Sequence, residues 1–447
     1  MKKISILVIT SSLAINCFAV DLFQSYQAAL SYNADYLIQI GSNQAAHVLL
    51  NIARSVLLPH IGASAAITEN YFDQQGTNAW YHQPTYGAQL SQVVVDFSKF
   101  STLSKNKLSS QLADLQLADA QQQLIVSVAQ AYFDVLYAED KLVATKMTME
   151  AFDQQKKQAE AAFQVGSVTI ADVNDAKSGY DSATALVIQD TNNLIIKKNN
   201  YHNITGLDAD QVQPLQENIA LTMPEPQSEN QWSELAKQGN VNLKIATKQT
   251  NIAKEEISIA RSGHYPTINF NAQYQYQDSS TLDSTNMSPE RAAALAYPGG
   301  PLSTFGVASA LLQLSVPIST GGTINAKTRQ AADNYTASIQ QQTATERNVN
   351  QETRNSYWQV ANGVEIVKAQ KTALKSAKTK LDSDKLGYQV GLRNSVDLVA
   401  SQKNYYDTYQ SYQQSKYQYL MAQVNLQYLS GKINGEFIQQ LNSNINQ

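Results

Sequence analysis

Two kinds of polar–apolar pattern alternate along the chain. From 85 to 213, and again from 318 to 447, apolar residues recur three and four positions apart with no proline among them. Leu108, Leu112, Leu115 and Ala118 form one stripe, and Leu117, Leu124, Val128 and Ala131 lie beside it. That spacing belongs to helices with one apolar face, and an interior proline would cost about 3 kcal/mol. It predicts helices over about 36–57, 99–164, 169–205, 241–263, 322–387 and 394–430. At 1.5 Å per residue a helix of about 65 residues is ~100 Å long, which points to something tall.

The stretches between these helices have period two. Ile268, Phe270, Ala272, Tyr274 and Tyr276 alternate with Asn269, Asn271, Gln273, Gln275 and Gln277. One apolar and one amide face make a strand with unlike sides. Weaker alternation predicts strands over 60–71, 86–95 and 305–318, each pair closed by a loop (about 72–85 and 279–304). Each strand is about ten residues, enough to cross a bilayer when tilted. Tyr71, Phe72, Trp80, Tyr81, Tyr86, Tyr276, Tyr297 and Phe305 gather near the hairpin ends, as in an interfacial girdle. Four spanning strands cannot close a barrel, since the smallest single-chain barrels have eight. Open edges in lipid leave backbone groups without partners. The chain is therefore expected to assemble into a shared barrel of 8, 12 or 16 strands above a helical tube.

The pattern is also duplicated. Ala53-Arg54-Ser55 with Pro59 returns as Ala260-Arg261-Ser262 with Pro266. Tyr132-Phe133 matches Tyr357-Trp358, Phe163-Gln164-Val165-Gly166 matches Tyr388-Gln389-Val390-Gly391, and Ile204-Thr205-Gly206 matches Leu429-Ser430-Gly431, all 225 residues apart. Repeats of 20–225 and 226–447 follow, with an insertion in the second copy between about 270 and 305.

Composition refines the setting. Lys2 and Lys3 precede an uncharged stretch to Ile15 and then Cys17-Phe18-Ala19, which predicts a signal peptide over 1–19 cleaved after Ala19. A lipoprotein signal acylated on Cys17 is the rival, although Ile15 and Asn16 are unlike the small residues it requires. The single cysteine excludes a disulfide scaffold. A net charge of −4 gives no footprint for nucleic acid. Charged residues are only 16%, replaced by about fifty Gln, more than thirty Asn and 24 Tyr, so polar faces here are largely uncharged. His47, His60, His82, His202 and His264 are dispersed without metal-site spacing, and no phosphate loop or nucleophile elbow appears. No enzyme, cofactor or metal centre is expected. Six tyrosines from Tyr405 to Tyr419 on the last long helix are expected to pack between helices rather than line a passage or meet a partner.

In order and spacing, Ala53-Arg54-Ser55 with Leu58-Pro59, Asp96-Phe97-Ser98-Lys99, Tyr132-Phe133, Phe163-x-Val165-Gly166 with Asp172-Val173, and their second copies resemble the TolC family of outer-membrane efflux ducts. The resemblance covers essentially all of the mature chain. It implies a mainly α homotrimer: a 12-stranded barrel in the outer membrane continuous with a periplasmic coiled-coil tunnel, and an equatorial band from 207–240 and 431–447. It also implies a passive exit duct for drug efflux or type I protein secretion. Its partners would be outer-membrane lipid, a periplasmic adaptor (membrane fusion) protein and an inner-membrane transporter of the RND, ABC or MFS class. The family's closed periplasmic tip maps onto Asp172, Tyr388, Arg393 and Gln155, with Asp397 as a carboxylate ring in the throat, and its adaptor-docking tips map onto Val165, Gly166, Val390 and Gly391. Two positions depart from the pattern. A second throat aspartate is replaced by Ala400, and a glutamate three residues before Tyr388 by Lys385. The ring would then hold three carboxylates rather than six. Without the resemblance, Asp172, Arg393 and Asp397 read as capping of a helix–turn–helix end. A trimeric surface stalk or adhesin without a lumen is the rival function.

Overall fold

The computed structural model describes residues 19–74, 77–216, 219–278, 288–290 and 304–446. Residues 1–18 of the expected signal peptide 1–19, most of the 279–304 connection and, among the expected girdle aromatics, the side chains of Phe72, Trp80, Tyr81 and Tyr297 lie outside them.

In chain order the elements are α1 (Leu22–Tyr32), α2 (Ala34–Ser55), β1 (His60–Gln74), β2 (Thr77–Val95), α3 (Phe97–Gln164), α4 (Ile170–Thr205), α5 (Glu229–Gly239), α6 (Val241–Ser262), β3 (Thr267–Gln277), β4 (Phe305–Ser315), α7 (Thr323–Gln389), α8 (Ser395–Leu429) and α9 (Gly435–Asn446). The order helix, hairpin, very long helix, shorter helix occurs twice. α3 has 68 residues and α7 has 67.

Three helices fall where none was predicted. α1, α5 and α9 are 11 or 12 residues long, too short for a stripe of several turns to stand out in the sequence. α1 is set by a capping box: the Asp21 side chain accepts the Gln24 N–H, and the Gln24 side chain accepts the Asp21 N–H. Two strands also differ. β2 starts at Thr77 and runs through Pro84, where a loop was expected. Pro84 is opposite Ile67 of β1, one residue outside the β2–β3 ladder that begins at Thr85 and Gln277. The missing N–H therefore costs no ladder bond. β4 ends at Ser315 rather than 318; Pro317 has no N–H with which to continue it.

The chain divides into two compact units. One comprises 42–115 and 245–343 and contains the sheet, antiparallel throughout in the order β1-β2-β3-β4. Its register sorts the faces. Ile61, Leu90, Ala272 and Ala310 lie opposite one another in one row, and Ala63, Ala88, Tyr274 and Ala308 in another. The intervening row is Gly62, Gln89, Gln273 and Ser309. Directly opposed residues share a face, so Gln89 joins Gln273 and Gln313 joins Asn269 on the amide face, while Leu311 and Val307 of β4 stand opposite Asn271 and Gln275. Ile61, Ile67, Leu312 and Leu314 are 62% to 79% exposed, so one chain alone does not cover them. A bulge between Val93 and Val95 increases the twist as β2 approaches α3. The helical segments of this unit are tied by polar contacts: Lys105 Nζ to Glu256 at 2.8 Å, and Lys248 Nζ to Gln111 at 2.8 Å.

The other unit comprises the chain up to Gly41, 116–244 and 344–447. It holds the main apolar core. Leu124, Ile125, Val128, Tyr132, Phe133 and Val135 of α3 pack with Val360, Val364 and Val367 of α7 and Leu420, Val424 and Leu426 of α8. The short helices close it with Leu22 and Tyr26 of α1, Trp232 of α5 and Ile438, Leu441 and Ile445 of α9. Two of its large buried side chains bond to backbone carbonyls. Tyr132 donates to the Gln213 carbonyl at 2.7 Å and Trp232 Nε1 to the Pro226 carbonyl at 2.8 Å.

Candidate functional site at the two helix tips

The residues singled out from the sequence fall on two helix–turn–helix ends, α3–α4 and α7–α8, both in the second unit described. The turns are built alike. α3 ends at Gly166 (φ 74°), whose N–H donates to the Phe163 carbonyl at 2.9 Å, and the Ser167 N–H donates to Ala162 at 2.8 Å. α7 ends at Gly391 (φ 78°), which donates to Tyr388 at 3.1 Å, and Leu392 donates to Gly387 at 2.8 Å. This pair of bonds requires a left-handed residue, which glycine adopts at little cost. Each turn lifts apolar side chains into solvent: Val165 is 80% exposed and Leu392 82%, with Val390 and Ile170 also exposed.

The returning helices start with caps. The Thr169 hydroxyl oxygen accepts the Asp172 N–H, and the Asp172 carboxylate accepts the Thr169 N–H and hydroxyl proton, both at 2.8 Å. Those two bonds hold the Asp172 carboxyl below the usual carboxylate range. In α8 the Asn394 side chain accepts the Asp397 N–H at 2.8 Å. Within one chain, Asp172 thus has a capping role, the alternative the sequence left open.

Arg393 is held differently. Its Nε is 3.5 Å from Asp384 Oδ1 and its Nη1 is 3.9 Å from Asp397 Oδ2. The other Asp384 oxygen receives Lys380 Nζ at 2.7 Å. Lys380 first, then Arg393 and the Ser401 hydroxyl, keep the Asp384 carboxyl below its ordinary range. Asp384 was not singled out from the sequence. The departures there drew notice to Lys385, which is exposed, while Asp384 beside it is buried. Tyr388 and Gln155 are half-buried, and among the described residues neither side chain has a hydrogen bond or ion pair. Ala400 is exposed.

The tyrosine run packs between helices. Tyr417 and Tyr419 are buried, and Tyr417 donates to Asp140 of α3 at 2.7 Å. Burial pushes the Asp140 carboxyl up and outweighs that bond and the nearby Lys416.

One arrangement invites a catalytic reading. In the unit that contains the sheet, His47 Nδ1 is 3.0 Å from Ser110 Oγ and Nε2 is 2.8 Å from Asp114. The serine, however, is 3% exposed and sits inside α3, several turns past its start, where backbone N–H groups are used by the helix. No donor remains for an oxyanion. The trio joins α2 to α3.

A model of outer membrane efflux proteins matches residues 26–207 and 232–432. The chain belongs to the outer membrane efflux protein family. It is an outer-membrane protein, and the family is one of transport channels rather than enzymes. The outer membrane protein TolC of Salmonella enteritidis is 31% identical over 429 residues, 96% of this chain and 85% of that one. The proteases secretion protein PrtF of Dickeya chrysanthemi is 24% identical over 356 residues, covering 79% and 73%. Among solved structures, the Campylobacter jejuni CmeC outer membrane channel superposes with a TM-score of 0.77 at 16% identity, covering 95% of this chain and 90% of that one.

Proposed function

We propose that three copies of this chain form a passive outer-membrane exit duct, closed by the α3–α4 and α7–α8 tips. The observation that carries the reading is the sheet: four antiparallel strands, with β3 apolar on one face and amide on the other, exposed apolar side chains on β1 and β4, and β1 and β4 at its two edges. In lipid those edges must be paired. Joining β4 of one copy to β1 of the next gives twelve strands, with the apolar rows toward lipid and the amide rows toward water.

At the helix tips, Arg393 with Asp172, Tyr388 and Gln155 would hold neighbouring tips together, and Asp397 would ring the throat. Threefold symmetry makes three identical weak links act on one opening. The exposed Val165, Gly166, Val390 and Gly391 turns would dock a periplasmic adaptor coupled to an RND, ABC or MFS transporter. The family's efflux description and the related proteases secretion protein PrtF favour both efflux and protein secretion.

The test is single-channel conductance of the purified trimer in a planar bilayer, wild type against Arg393→Ser. A small conductance that rises in the variant is expected. A pore that does not change removes the gate from this turn, and a verified folded trimer without conductance leaves the stalk.

A further inference from the structure

The two tips differ as sets. At positions 225 apart, Ala159, Ala162, Val168 and Ala176 of the first tip stand where the second has Asp384, Gly387, Arg393 and Ser401. In the second tip these four meet. Asp384 is buried, with one carboxylate oxygen 3.5 Å from Arg393 Nε and the other on Lys380. Ser401 is buried on α8, where its hydroxyl donates to the Leu398 carbonyl at 2.9 Å and lies near the same carboxylate. A Cβ on Gly387 would stand 2.8 Å from Arg393 Cγ, so the arginine stem crosses α7 where glycine leaves space. Arg393 remains 55% exposed, with guanidinium donors free to face outward.

We infer that Asp384 and Gly387 form a clamp that positions Arg393 for the gate, fixing the guanidinium from its own chain so that its outer donors point to a neighbouring protomer. The inference rests on the gating role proposed above for Arg393. A long side chain loses freedom when it bonds across an interface, and a guanidinium already held on one side loses less. Asp384 is thus a positioning residue. The first tip, with alanines and valine at the matching places, has no equivalent. Its closure must therefore use Asp172 and its surroundings, and any Arg-based hold on the opening comes from the second tip alone.

The test uses the full-length trimer in planar bilayers, with trimer retention and melting temperature as folding controls. Asp384→Asn keeps the shape and removes the charge; Gly387→Ala keeps the charge and displaces the arginine stem. Each is expected to raise conductance about two- to fivefold, less than Arg393→Ser, because a partly exposed ion pair is weak. In an Arg393→Ser background neither should add more, since groups acting through one another are non-additive. A merely structural aspartate would act in either background. If Arg393→Ser opens the pore while both clamp variants match wild type, the clamp is wrong and the gate stands. If the clamp variants add in full to Arg393→Ser, Asp384 does not act through Arg393. If Arg393→Ser is silent, the gate reading fails, and the clamp with it. Should Asp384→Asn not assemble, Gly387→Ala decides alone.

Discussion

The two tips share a backbone and differ in what occupies it. Both end a long helix on a left-handed glycine, place an exposed valine before it, and restart on a capped helix with aspartate at its third position. In the first, the aspartate accepts bonds from its own cap; in the second, the cap is asparagine and an arginine stands beside the aspartate. Duplication therefore preserved the turn, which depends on glycine geometry, and let side chains diverge where they face other helices. The comparison predicts that function is unequally divided between tips of equal shape.

The largest expected effect separates the two directly. Arg393→Ser should raise single-channel conductance about tenfold, as three weak pairs are lost together. Val168→Ser, its counterpart in the first tip, should change conductance by less than about twofold. Equal effects at both positions would break the comparison. A smaller but still large effect concerns the throat. Ala400 leaves Asp397 as the carboxylate in this turn of α8, so Ala400→Asp should lower the blocking concentration of a trivalent cation about fivefold by doubling the ring charge. A wild-type pore already blocked at submicromolar concentration would contradict the three-carboxylate throat.

Much of this was legible in the sequence, because it depends on periodicity. Ile268 to Gln277 announce a two-faced strand by themselves, and proline-free windows mark α3 and α7. The 225-residue spacing brings Gly166 and Gly391 into the same turn. What was not legible depends on groups that meet only in three dimensions. Asp384 is one acidic residue in a lysine-rich helix, and nothing local distinguishes it from a solvated charge. Only the return of α8 buries it beside Ser401 and brings Arg393 to it. Ser110, His47 and Asp114 were equally hidden, since 63 residues separate the serine from the histidine. Here proximity without an accessible nucleophile adds no chemistry. α1, α5 and α9 were missed because short helices are fixed by tertiary burial more than by their own pattern.

Acidification sharpens the contrast further, with a moderate effect. Lys380, Arg393 and Ser401 hold the Asp384 carboxyl below its ordinary value. A depressed carboxyl contributes fully above its unfolded pKa, and its contribution is lost only as pH falls through the lower folded value. Conductance should therefore stay low down to about pH 4, the ordinary aspartate value, and rise only below it. Lys380→Met removes the leading cause and should move that rise to higher pH. A wild-type rise already complete near pH 5 would show that another group, and not Asp384, controls the acid response. Asp119 and Asp140 are the candidates, because burial places both carboxyls above the usual range.

The smallest expected effect lies in the caps themselves. Thr169 takes part in a reciprocal box, donating its N–H and hydroxyl to Asp172 and accepting the Asp172 N–H, whereas Asn394 only accepts the Asp397 N–H. Removing either leaves helix-start amides without a partner, at about 1 kcal/mol each. Thr169→Ala should cost about that much, since it also strips a bond from the Asp172 carboxylate, and Asn394→Ala about half of it. Amide hydrogen exchange confined to residues 166–175 and 391–400 measures the two directly: local protection should fall about fivefold at the first tip and about twofold at the second. The reverse order would mean that the Arg393 clamp depends on Asn394 for its geometry. The second turn would then be held together by its cap, not by the carboxylate of Asp384.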